Sequence, residues 1–174
     1  MKPRKLAAWL ASQLRPDDGN NLIEVALTVI FYFLLLFGVI DFSRLMYAYH
    51  FVGHAAREGA RWAIVNGSTC ADDPDAASCP YANGAAEGDV ATHVNNFIPP
   101  GINKANVTVT APCGVDGAAE CAASTAICTK TTDGSYNAPG CVVQVKVTYP
   151  YNFLTPLIGT TITLSSTSEM VISH

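Results

Sequence analysis

The sequence predicts an α+β protein built on one long N-terminal helix. Three observations predict it. An apolar run lies near the N-terminus, a helical stripe continues beyond that run, and strand-like alternation recurs within 107–172 with no helix between strands. The chain has 174 residues, enough for one domain and an anchor, and the 109 residues beyond position 65 can bury one modest core.

Lys2, Arg4, Lys5 and Arg15 make the first residues basic. Leu6, Trp9, Leu10 and Leu14 fall near helical spacing. The leader is therefore either a short helix on a membrane surface, ended by Pro16, or a basic segment without structure of its own. Val25 to Ile40 then carries no formal charge, and the run reaches back past Glu24 to Leu22. Its nineteen residues, rising about 1.5 Å each, give roughly 28 Å, close to the hydrocarbon thickness of a bilayer. A cleaved secretory signal has a shorter core and small residues at its end, whereas Asp41-Phe42-Ser43-Arg44 follows here. A buried core helix is rarely aromatic and aliphatic on every face. The run thus predicts a membrane span. Four basic residues upstream, against Arg44 downstream, orient the N-terminus toward the cytoplasm.

The helix is expected to continue. Phe42, Leu45, Met46, Tyr49, Val52 and Ala56 extend a stripe toward the Asn66-Gly67 turn. Gly53, Ala56, Gly59, Ala60 and Ala63 add small residues that permit close backbone approach. Glu58 and Arg61 are spaced to pair, and Arg57 and Arg61 are candidates to hold the helix to the sheet or to another subunit. His50, His54 and Glu58 share a face at i, i+4 and i+8, as metal ligands can, but histidines on a projecting helix more often pack or face water. Neither metal nor cofactor is expected.

Residues 67–84 read as loop. Ala85 to Ile98 reads as a short amphipathic helix with Val90, Val94, Phe97 and Ile98 on one face, closed by Pro99-Pro100-Gly101. Val107 and Val109 mark a strand, and 112–140 is an excursion with little periodicity. Val143, Val145, Val147 and Tyr149 give the clearest strand, followed by a turn at Tyr149–Phe153. The stretch from Pro150 to Gly159 is either a partner surface or a turn tucked into the core. The last strand covers about Thr161 to Ile172, with Ile162, Leu164, Met170 and Ile172 on one face.

Cys70, Cys79, Cys113, Cys121, Cys128 and Cys141 all follow the apolar run. An even number on one side of a span predicts disulfides in an oxidising compartment, and no CxxC pair of the zinc type occurs. Cys70–Cys79 is the favoured local pair; the remaining connectivity stays open. Residues 1–19 sum to +2, four basic against two acidic, and the rest to −6, six against twelve. No basic patch able to hold nucleic acid results. His93 has serines and aspartates in the chain but no G-x-S-x-G elbow, so catalysis is not expected.

Gly19 followed five residues later by Glu24, at the cytoplasmic edge of a span, resembles the processing site of type IV pilins and pseudopilins. There a membrane aspartyl peptidase cuts after the Gly, and a Glu is fifth in the mature chain; counted from Asn20, Glu24 is fifth. Glu24-Val25-Ala26-Leu27, Gly38-Val39-Ile40-Asp41-Phe42-Ser43-Arg44 and Ala55-Ala56-Arg57-Glu58-Gly59-Ala60-Arg61-Trp62-Ala63 are similar to the TadE-like family, minor pseudopilins of the tight-adherence (Flp) pilus system. The resemblance covers about residues 18–65. It implies cleavage between Gly19 and Asn20 by a prepilin peptidase, and an assembly role for Glu24 opposite a neighbouring subunit's new α-amino group. It also implies contacts at Gly53, Ala56, Arg57, Gly59 and Arg61 within the helix packing or with other pilins, pseudopilins and an inner-membrane assembly platform. Residues 1–19 would be a cytoplasmic leader, 20–41 the span, 42–65 its extracytoplasmic continuation, and 66–174 a pilin-like, disulfide-containing periplasmic domain. The alternatives are an unprocessed single-pass anchor for a periplasmic binding domain and, with less to support it, an anchored enzyme.

Overall fold

The computed structural model describes residues 17–69, 81, 83–123, 128–132, 134–154 and 159–173, with side-chain surroundings from residue 21 onward. A single helix, α1 (Asp17–Val65), runs through both the expected span and its continuation. It is long and apolar enough to cross a membrane, and among the described residues no side chain of its most apolar window is buried. Leu22, Phe31, Leu35 and Phe42 are each more than 60 % exposed. From Asp41 onward the pattern changes. Asp41, Ala48, Val52, Ala55, Ala56, Gly59, Ala60 and Ala63 are buried along one face, with Leu45 half-buried among them. Steps of three and four place these residues on one side of a helix.

That side lies on a three-stranded antiparallel sheet of order β1-β2-β3, formed by β1 (Thr108–Cys113), β2 (Val142–Asn152) and β3 (Thr161–Val171). A second helix, α2 (Glu87–Asn96), packs against α1 and β1 through buried Val90 and Val94. The fold is α+β, as the alternation and the long stripe indicate. In β2, Val143, Val145 and Val147 point inward with no exposure; burying a valine fully contributes about 1.5–3 kcal/mol. Tyr149 and Tyr151 continue the same inward series.

The turn expected at Tyr149–Phe153 is instead largely strand. Tyr149 pairs with Leu164, Pro150 with Thr163 and Asn152 with Thr161. Pairing with β1 reaches only Thr148. Pro150 therefore sits where β2 has one neighbour, an edge position that a proline tolerates. The irregular excursion after β1 is held by Cys113–Cys121 and Cys128–Cys141. Closing a loop of the second pair's size is worth about 3 kcal/mol in chain-entropy terms. The favoured Cys70–Cys79 pair lies outside the described residues.

β3 ascends alongside α1. Its first residue pairs with Asn152, next to the level of Asp41, and just past its last residue Ser173 N–H donates to the Ile64 carbonyl at 3.2 Å. Among the described residues no strand lies on its outer edge. β1, on the opposite edge, is shorter and has an irregular register between Thr110 and Cys113.

Helix and sheet approach closely at Gly59. A Cβ there would stand 3.0 Å from Val94 Cγ2 and 3.1 Å from Val145 Cγ1, whereas one at Gly53 meets nothing within 4 Å. Both positions gain the same helix propensity from a larger residue, so comparing them isolates the seam. Gly59→Leu should destabilise by about 1–3 kcal/mol relative to Gly53→Leu, read by thermal or denaturant unfolding in detergent. Equal responses at the two positions would mean that α1, α2 and β2 do not meet in this way.

Candidate functional site on the long helix

The candidate site is α1 itself, in three zones. At the N-terminal end, Gly19 and Asn20 lie within the helical backbone. Glu24 is exposed, and its carbonyl accepts a hydrogen bond from Thr28 Oγ1 at 2.9 Å. Among the described residues no ion pair engages its carboxylate. A lone carboxylate on an apolar helix costs about 2.5–3.5 kcal/mol at the centre of a bilayer and less toward its edge. A partner from outside the chain would offset that cost.

At the other end of the apolar run Asp41 is 3 % exposed. Its backbone carbonyl accepts from Tyr151 Oη at 3.0 Å, its Oδ1 accepts from Leu154 N–H at 2.9 Å, and Arg44 Nη1 stands 3.7 Å from the same oxygen. The Arg44 guanidinium also lies 5.8 Å from the centre of the Tyr151 ring. Burial raises the Tyr151 hydroxyl above its ordinary 10.0, with Arg44 opposing and Asp41 and Tyr149 adding to the shift. The phenol therefore stays protonated and able to donate. The sequence reading passed over this clamp between helix and hairpin. Its signal is Asp41's place at the head of the inward stripe, one helical step ahead of Leu45 and Ala48.

Along the projecting part, Ala56 and Gly59 are buried inside this chain, while Arg57 and Arg61 are exposed and Gly53 is half-covered. Arg57 Nε donates to the Gly53 carbonyl at 3.1 Å. Its side chain borders a polar cleft of about 490 Å³ shared with Tyr49, Ser165, Thr167 and Glu169. The expected Glu58–Arg61 pair is not formed; Glu58 faces α2 instead. With His50, His54, Phe51, Val94 and Phe97 it lines a largely apolar cleft of about 360 Å³. Among the described residues no three His, Cys, Asp or Glu side chains gather as a metal site.

His93 closes the seam between the two helices. Its ring stacks on Trp62 with centroids 4.9 Å apart at 20° and meets Phe97 edge-on at 4.6 Å. Nε2 is buried without a hydrogen-bond partner among the described residues. Burial lowers the imidazole below its ordinary 6.5, and the nearby Glu58 carboxylate opposes that shift. Below about 6.5 the unfolded chain takes up a proton that the folded site resists. Stability contributed here is present above that pH and is lost as pH falls toward the folded value. His93→Phe keeps the ring contacts, so its melting temperature should fall less than the parent's between pH 7 and pH 5. An unchanged slope would remove His93 as the source.

No curated protein and no solved structure matches the chain. The family model described as TadE-like protein matches residues 22–61. That stretch begins just before Glu24 and takes in the bare half of α1, the clamp residues Asp41 and Arg44, and the small-residue seam up to Arg61. Over these residues the long helix is similar to that of TadE-like proteins, a pilus-associated family, as the resemblance in the sequence indicates.

Proposed function

We propose that this chain is a minor pseudopilin of a tight-adherence (Flp) pilus or a related secretion system. It would be held in the inner membrane by 20–41, with the leader 1–19 in the cytoplasm and the domain in the periplasm. A prepilin peptidase cuts after Gly19. Glu24 then meets the freed α-amino group of a neighbouring subunit, and the domain presents surfaces to other pilins or to the assembly platform. The chain performs no chemistry of its own. The observation that carries this reading is that the family match and the change in burial run along the same helix: an apolar stretch left exposed among the described residues, followed directly by a packed one. A helix exposed on all faces with a carboxylate near its entry suits lipid on one occasion and a bundle of like helices on another.

Intact-mass measurement of the protein from membranes that contain prepilin peptidase tests the processing. The parent should lack residues 1–19 and Gly19→Ala should retain them. A parent that keeps its leader favours an unprocessed anchor for a periplasmic binding domain. The assembly role has a separate readout. Glu24→Ala should be cut normally yet abolish piliation, and pili at parental levels would remove the role given to that carboxylate.

A further inference from the structure

The inward face of β3 changes character halfway along the strand. Its inward residues pair opposite Tyr151, Tyr149, Val147, Val145 and Val143, and run Ile162, Leu164, Ser166, Ser168, Met170. Two serines thus stand where the alternation calls for apolar side chains. At that level no strand lies outside β3 among the described residues, and the polar cleft of about 490 Å³ opens between its edge and α1. Residues 165–169, which alternate between the two faces of the strand, border it, so the cleft follows the edge itself. Tyr49, His50 and Arg57 form the opposite wall, with Gly53 between them. The helix rises about 12 Å from Tyr49 to Arg57, and 165–169 span about 13 Å. The two walls are thus equally long. A Cβ at Gly53 meets nothing within 4 Å, so the helix side of this groove has room. Arg57 Nε is held by the Gly53 carbonyl, and both Nη nitrogens are uncommitted among the described residues. Glu169 does not take them: Gln144 Nε2 donates to its Oε1 at 2.6 Å, on the outward face of the sheet.

We infer that this groove receives an extended segment of a partner protein, which adds a fourth strand along β3 and sets an aspartate or glutamate against Arg57. The open edge offers backbone donors and acceptors along its length, the means by which an added strand is held. Alternate side chains of that strand face α1. A carboxylate on one of them meets the two Nη nitrogens of Arg57 in the paired geometry that a guanidinium favours. The inward hydroxyls of Ser166 and Ser168 border the same cleft as further donors. The acid has to come from a different chain. The inward positions of β3 hold none, so the β3 of a second copy, added with the same face inward, leaves Arg57 unpaired. The inference goes beyond the pseudopilin reading and requires neither cleavage at Gly19 nor a membrane.

The test uses the full chain in nanodiscs, which keep the apolar helix covered. The probes are terminally blocked peptides of alternating threonine and valine whose central residue is glutamate, glutamine or lysine. Fluorescence anisotropy reads affinity, and amide hydrogen exchange reads the site. The glutamate peptide should bind about three- to tenfold more tightly than the glutamine peptide, and should slow exchange in β3 but not in β1. N-methylation throughout its backbone should abolish binding. Arg57→Glu should reverse the order and favour the lysine peptide. Gly53→Leu fills the groove and should abolish binding while near-UV circular dichroism stays that of the parent. No binding at about millimolar glutamate peptide, or an order of affinities that Arg57→Glu leaves unchanged, overturns the proposal. Exchange in β1 slowed in place of β3 overturns it too. Slowing in β3 that grows with protein concentration in the absence of peptide makes a second copy the occupant, and the proposal fails.

Discussion

A buried carboxylate decides how this helix joins its domain. Asp41 stands where all-round exposure gives way to one-sided burial, and it gives the β2–β3 hairpin both a backbone and a side-chain acceptor. A bare carboxylate in that position would be costly to bury. The Leu154 N–H and an arginine at i+3 both reach its Oδ1, while Tyr151 Oη holds its backbone carbonyl. Everything above inherits its register from this point. Tyr151 is held, so β2 is held; β3 pairs with β2 along its whole length, and the sheet meets the helix at one height.

Above the clamp the helix comes close to the sheet because its inward side chains are small. Alanine and glycine on α1 face valines on β2 and α2, and Gly59 lies within van der Waals reach of Val94 and Val145. Such a seam gains contact area from the larger residues of only one partner, the sheet. The narrow fit lets a domain of about a hundred residues cover half of a long helix and leave the other half bare. On the membrane reading the two halves of one helix answer to different solvents, and the change from all-round exposure to one-sided burial takes place within a single turn.

The helix was legible in the sequence because length, hydropathy and small-residue spacing all agree over it, as was the inward face of β2, where Val143, Val145 and Val147 alternate regularly. Two features were not. Pro150 and Asn152 read as turn residues because a proline counts against a strand in isolation; that β1 would stop at Thr148, and free β2's edge there, is a matter of tertiary pairing. Asp41 read as the boundary of the span, since its inward orientation shows only once Leu45, Ala48 and Val52 are seen to be buried. Ala56 and Gly59 looked equally suited to a neighbouring subunit and to the chain's own sheet, because small-residue spacing says that a backbone comes near without saying whose. The disulfide partners were open for the same reason: spacing permits many pairings, and only the folded excursion brings Cys113 to Cys121 and Cys128 to Cys141.

The edge of β3, on which no strand lies among the described residues, has a consequence at the level of populations of molecules. Eleven residues with neither lysine nor proline, and Glu169 as the one charge, form the kind of edge that recruits a like strand. Two such edges join most readily head to tail. Since β3 and α1 point the same way, head-to-tail joining would turn one molecule upside down relative to the other. On the anchoring proposed above, copies in one bilayer would all stand upright, and bringing them together in register would set carboxylate against carboxylate. On that reading the membrane would act as an orientational chaperone for this surface, a protection that detergent extraction would take away.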